Sequence, residues 1–127
     1  MITGTHAIIF AEDADRARAF FRDTLAFPSV DAHDGWLIFQ LPPAELGIHP
    51  AGNPGAADSG EPGTRHELYL MCDDIEETVA ALTAKGVEFT SPVESQGFGL
   101  LAHLKVPGAG EIGLYQPRHV TAYDLDD

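Results

Sequence analysis

Basic residues are scarce in this chain: seven Lys and Arg stand against twenty Asp and Glu, a formal net charge of −13 over 127 residues. Nucleic-acid binding draws its affinity from cations that neutralise phosphates, so this balance excludes a nucleic-acid partner. The same field favours solubility and attracts cationic small molecules. Cysteine is reduced to Cys72, which excludes an internal disulfide and suits a reducing cytoplasm, the expected location. No apolar run approaches the ~20 residues of a membrane-spanning helix. The opening MITGTHAIIF carries neither a basic region nor a cleavage-like segment, so neither a membrane partner nor a signal peptide is expected. Glycine-rich phosphate loops, Cys-x-x-Cys pairs and a G-x-S-x-G elbow are all missing.

What is present has ordinary globular proportions, 44% hydrophobic and 21% charged, in a length that suits one compact domain, 1–127. THAIIF (5–10) is an apolar, β-branched run that reads as a strand. Asp13 then offers an N-cap, Asp15 lies in the first turn, and Ala17, Phe20, Phe21 and Leu25 recur at helical spacing, with Pro28 marking the exit. A weaker strand SVDAHD and clearer ones at 35–41 and 44–50 complete a first module, approximately 4–50.

Residues 51–65 are rich in Pro, Gly and small polar side chains and read as a linker. The pattern then restarts in a second module, approximately 66–117. HELYLMC (66–72) is a strand, and Asp74 caps a helix carrying Ile75, Val79 and Leu82 that Gly86 terminates. Strands follow at 87–93, 97–106 and 111–117, and an acidic tail occupies 118–127. The halves agree in detail. Asp13 follows His6, and Asp74 follows Glu67, at the same spacing; AELGIHP matches GEIGLYQP, pairing Glu45 with Glu111 and Gly47 with Gly113. An internal duplication explains agreement at three separate places better than chance does.

Two stretches carry a resemblance to the vicinal-oxygen-chelate superfamily of glyoxalases, bleomycin-resistance proteins and extradiol dioxygenases: HAIIFAEDADRARAFFRDTLAF, opened by His6 at the head of the first strand and with Ala26 in place of the usual glycine, and ELYLMCDDIEETVAALTAKGVEF. The resemblance implies an α+β fold in which two βαβββ modules form a curved eight-stranded mixed sheet around a cup. It further implies a divalent metal (Fe, Mn, Ni or Zn) in that cup, held by His and carboxylates from the first and fourth strands of each module. One inward-facing residue per strand can converge there because side chains alternate faces.

Carried onto this chain, the resemblance assigns His6, Glu67 and Glu111 as metal ligands. Taking His66 in place of Glu67 would turn the strand's apolar set outward. Aligning Pro107 with the proline that precedes the family's closing strand puts Gly113, and by the repeat Gly47, at the usual carboxylate positions. Glu111 and Glu45 then lie two residues away on the same strand face, about 7 Å along. His103, alternating with Leu101 and Lys105, faces the cup as a candidate catalytic acid or base. Trp36, Tyr69, Tyr115 and Glu45 are candidate substrate-binding residues; for each aromatic the bland alternative is core packing. His33, His49 and His119 read as surface residues and Cys72 as structural.

Three functions follow from the resemblance. The first is a metal-dependent lyase, isomerase or dioxygenase chelating adjacent oxygens of a small substrate. The second is a metal-free protein that sequesters a cationic drug in an apolar crevice with acidic rims. The third is a member with no small ligand. The open edge of a half-sheet is a physical reason for a homodimer; the alternative is that the two modules close one cup within a single chain.

Overall fold

The computed structural model describes Met1 and residues 3–49 and 66–124; the expected linker at 51–65 lies outside them. Asp13 caps the first helix, α1 (Ala14–Ala19), by accepting a 3.1 Å hydrogen bond from the Arg16 amide at Oδ1. The helix widens into a π-helical turn, Phe20–Thr24, in which the Leu25 amide reaches back to the Phe20 carbonyl. Ala26 leaves that turn at φ 59°, the left-handed conformation in which glycine is at ease. Two short antiparallel strands, β1 (Ser29–Asp31) and β2 (Leu37–Phe39), form a hairpin with Val30 opposite Ile38. Its turn is held by Asp31, whose carboxylate accepts from the Gly35 amide.

The second half follows the order expected of it. Strand β3 (Tyr69–Met71) leads into α2 (Ile75–Ala84), followed by β4 (Phe89–Gln96), β5 (Gly99–Lys105) and β6 (Glu111–Pro117). Two hydrogen bonds start α2: Asp74 Oδ1 accepts from the Glu77 amide at 3.1 Å, and Gln116 Oε1, reaching from β6, accepts from the Ile75 amide at 2.8 Å. Glu76 and Glu77 complement the helix dipole in its first turn. Gly86, at φ 91°, ends the helix as its spacing predicts. The four strands lie in the order β3-β6-β5-β4, with β3 parallel to β6 and the other pairs antiparallel.

The core lies between one face of this sheet and the helices. Ala102 and Leu104 of β5 and Ile112 and Leu114 of β6 are buried with Ile75 of α2 and Ala17, Phe20 and Phe21 of the first helical segment. The two halves of the chain also meet through the backbone: the Asp13 amide donates to the Gly108 carbonyl at 3.0 Å, and Gly108 (φ 82°) leaves room for the Asp13 main chain.

The architecture is α+β with mixed strand pairing, as expected, but the described residues form six strands in two sheets rather than one eight-stranded sheet. Residues 5–10 and 44–49 are in no ladder, and Phe10 is 90% exposed and Ile48 87% exposed. The repeat supplies a physical reason. In the second module β3 pairs with β6, so the counterpart of each unpaired segment is the other's partner. Pro42 and Pro43 separate β2 from 44–49 and bring no backbone donors to extend the hairpin.

Candidate functional site

The sheet face turned away from the helices carries a cluster of rings. Side chains at paired positions share a face. In the observed register Tyr69 of β3 is opposite Gly113 of β6, Gly113 is opposite His103 of β5, and Tyr115 of β6 is opposite Leu101 of β5. Tyr69 therefore sits between two aromatic neighbours, 5.8 Å from the His103 ring and 6.2 Å from Tyr115, both in edge-on geometry. Tyr115 continues the cluster towards Phe98 at 6.0 Å and His119 at 5.7 Å.

Two glycines let the tyrosines lie against the sheet. A Cβ at Gly113 would fall among the ring atoms of Tyr69, and one at Gly99 would meet the Tyr115 ring and the Gln116 carbonyl. The side chain that any other residue would send up from these positions is replaced by a ring lying across it. Tyr115 is anchored at its far end by donating from its hydroxyl to the Phe98 carbonyl at 3.1 Å. Burial, with the negative charge of Glu45 nearby, pushes the Tyr115 phenol above its ordinary pKa.

Carboxylates surround the rings. Glu67 accepts from the Tyr69 hydroxyl at 3.0 Å. Glu111 accepts from the Thr90 hydroxyl at 2.6 Å. Half-buried Glu45 accepts from the Ala122 amide at 2.8 Å and lies 3.7 Å from His119, which ties the 44–49 segment to the end of the chain. An open cleft of about 570 Å³ adjoins the ends of β3 and β6, lined by Met71, Cys72, Gln116 and Tyr123 among others. Burial first, and then the charges of Asp73 and Asp74, push the Cys72 thiol up, away from the reactive thiolate.

The structure thus brings together Tyr69, Tyr115, His103 and Glu67, with Glu111 on the same strand face and Glu45 beside Tyr115. It does not bring Trp36 to them: that ring lies at the β1–β2 turn, 62% exposed, with the Arg18 guanidinium 4.9 Å from its centre. His6 is exposed in the unpaired 5–10 segment. Among the described residues no three His, Cys, Asp or Glu side chains are grouped to hold a metal ion.

The donor set of His6, Glu67 and Glu111 therefore does not fit a metal centre in this arrangement, and the ring of Tyr69 fills the space above Gly113, where the resemblance places a ligand. Two contributors escape the sequence reading. Phe98 enters through its carbonyl and ring, and Ser91 hydrogen-bonds His103. Pro92 in the middle of β4 is the one sequence signal that this edge strand is irregular next to the site.

Residues 5–111 match the family model described as Glyoxalase/Bleomycin resistance protein/Dioxygenase superfamily. No curated protein matches the chain. Among solved structures it is similar to TnmS3, an antibiotic binding protein from Streptomyces sp. CB03234, at 23% identity and a TM-score of 0.56, covering 92% of this chain and 99% of that one. It is also similar to lactoylglutathione lyase from Agrobacterium tumefaciens, at 15% identity and a TM-score of 0.56, covering 90% and 96%. A glyoxalase family protein from Enterococcus faecalis reaches a TM-score of 0.60 at 19% identity, covering 87% and 94%. At these identities the solved structures speak for the fold alone.

Proposed function

Since this chain belongs to the Glyoxalase/Bleomycin resistance protein/Dioxygenase superfamily, whose name spans both catalysts and binders, we propose that it is a metal-free binding protein for a small aromatic cation. The observation that carries this reading is the Tyr69 ring lying over Gly113. The space that a closing-strand carboxylate would need is filled by an apolar surface suited to stacking. Tyr69, Tyr115 and His103 would meet the flat faces or edges of the ligand. Glu45, Glu67 and Glu111 at the rim would attract its positive charge, adding to a net charge of −13. The similarity to TnmS3, described as an antibiotic binding protein, supports the same reading.

The two-module cup belongs to this proposal too. By the sequence repeat, 5–10 and 44–50 correspond to β3 and β6, and paired in the same way they would build a wall for the open face. So does a cytoplasmic homodimer in which a second copy covers Ile8, Phe10, Leu46 and Ile48. The metal-dependent alternative, with His6, Glu67 and Glu111 as ligands of Fe, Mn, Ni or Zn and His103 as acid or base, needs the Tyr69 ring to leave its place. The similarity to a lactoylglutathione lyase is what favours it.

Fluorescence titration with aminomethylanthracene, an aromatic ammonium, and with anthracene carboxylate separates these readings. The ammonium is expected to bind with the metal-free protein and the carboxylate to bind at least tenfold more weakly. Tyr115→Ala is expected to weaken the ammonium about tenfold, the loss of one stacked ring. Equal affinity for both probes, or binding of neither, overturns the proposal. So does near-stoichiometric transition metal in protein purified without an affinity tag, if Glu67→Gln abolishes it.

A further inference from the structure

The edge strand β4 is irregular on both sides of Ser91: its register with β5 shifts between Phe89 and Ser91 and again between Ser91 and Glu94. Bulges of this kind re-aim a side chain beside a site. The consequence is visible in the hydrogen bonds. The His103 amide, paired with Ser91 in the ladder, reaches Ser91 Oγ as well, donating to it at 3.0 Å. The same Oγ lies 3.2 Å from His103 Nδ1.

A hydroxyl owns one hydrogen. Ser91 Oγ is already an acceptor for the amide, and among the described residues its own hydrogen has no acceptor except Nδ1. With that hydrogen given to Nδ1, the ring nitrogen offers its lone pair, and in a neutral imidazole the proton then sits on Nε2. Nε2 has no hydrogen-bond partner among the described residues, although His103 is half-buried and its ring packs beside Tyr69.

We propose that Ser91 is a positioning residue that holds His103 as the Nε2–H tautomer, so that the aromatic face offers a hydrogen-bond donor and selects ligands bearing an oxygen acceptor. The selected class is a flat, cationic ring system carrying a carbonyl or quinone oxygen. The oxygen would accept from an Nε2 donor that no group among the described residues takes up, and a bare hydrocarbon of the same shape would not. The ligand class rests on the metal-free binding reading; the tautomer does not.

Long-range proton–nitrogen NMR of the histidine rings in the full chain tests the tautomer directly. At a pH of about 8, above the usual imidazole range, wild-type His103 is expected to show an unprotonated Nδ1 and a protonated Nε2. Ser91→Ala is expected to give a tautomer mixture, and Ser91→Thr, which keeps the hydroxyl, to restore the single form. A protonated Nδ1 or a mixture in the wild type overturns the proposal, as does an unchanged signature in Ser91→Ala. Paired titrations with aminomethylanthracene and aminomethylanthraquinone read the consequence. The quinone is expected to bind about fivefold tighter to the wild type, the scale of one net hydrogen bond, and this preference is expected to vanish in Ser91→Ala with the hydrocarbon's affinity unchanged. Equal binding of the two by the wild type sinks the ligand class while the tautomer stands on its own spectrum. Binding of neither sinks the binding function and the ligand class together.

Discussion

At Gly113 one missing side chain decides what can lie across the strand. Its backbone is unremarkable β-strand; what matters is the Tyr69 ring across it. Gly113→Ala forces the methyl and the ring to compete for one space, and overpacking of this kind costs about 1–3 kcal/mol. Urea unfolding of Gly113→Ala is expected to register that loss. In the Tyr69→Ala background, where the ring is gone, the same substitution is expected to cost less than half as much, a coupling that a double-mutant cycle isolates. At this scale the sequence was only partly legible. The repeat identified Gly47 and Gly113 as departures from the family's carboxylates, but a glycine in a strand does not say what approaches it. Tyr69, two residues along from Glu67, read better as core than as pocket lining. Ser91 stayed hidden because its role arises from a shift in register, which depends on how two strands pair and has no pattern within either one.

Elements were easier to read than sites, and the second module easier than the first. Asp74, Ile75, Val79, Leu82 and Gly86 marked α2 from cap to stop, because each of those signals is local. The strand patterns at 5–10 and 44–50 were as clear as those of β3 and β6, yet a strand pattern states only that a segment can pair. Whether it does depends on an edge elsewhere in the chain, and by the sequence repeat the edge expected for each of these segments is the other. The exit from the first helical segment shows a local signal with a cost attached. Ala26 holds a left-handed backbone at φ 59° in the place where the resembled family keeps glycine. Relief of that strain exceeds the extra freedom glycine gains when unfolded, so Ala26→Gly is expected to stabilise the protein by about 0.5–1 kcal/mol. A rise in the midpoint of thermal unfolding, with the slope of urea unfolding unchanged, checks it.

Across the whole molecule, charge is distributed as unevenly as pairing. Three of the cations, Arg16, Lys85 and Lys105, line one cleft of about 230 Å³ beside Phe20 and Val87, and the ion pairs Arg18–Asp15 and Arg22–Asp23 are both exposed. With a net charge of −13, repulsion within the folded chain outweighs what such pairs return. Raising sodium chloride from about 0.01 M to about 0.15 M shortens the screening length from about 30 Å to about 8 Å. The melting temperature is therefore expected to rise by a few degrees in differential scanning calorimetry, and a fall would show that the exposed pairs dominate. The same screening is expected to weaken an aromatic ammonium at the tyrosine face, so stability and affinity would move in opposite directions with salt.

The Tyr69–Gly113 contact also bears on how such a chain can change over generations. Introducing a carboxylate at position 113 while the ring remains would place a side chain where no space exists, and removing the ring first would leave bare backbone with nothing stacked on it. Neither step alone is neutral. Positions 69 and 113 are therefore coupled: a side chain at 113 is accommodated only when both residues change together.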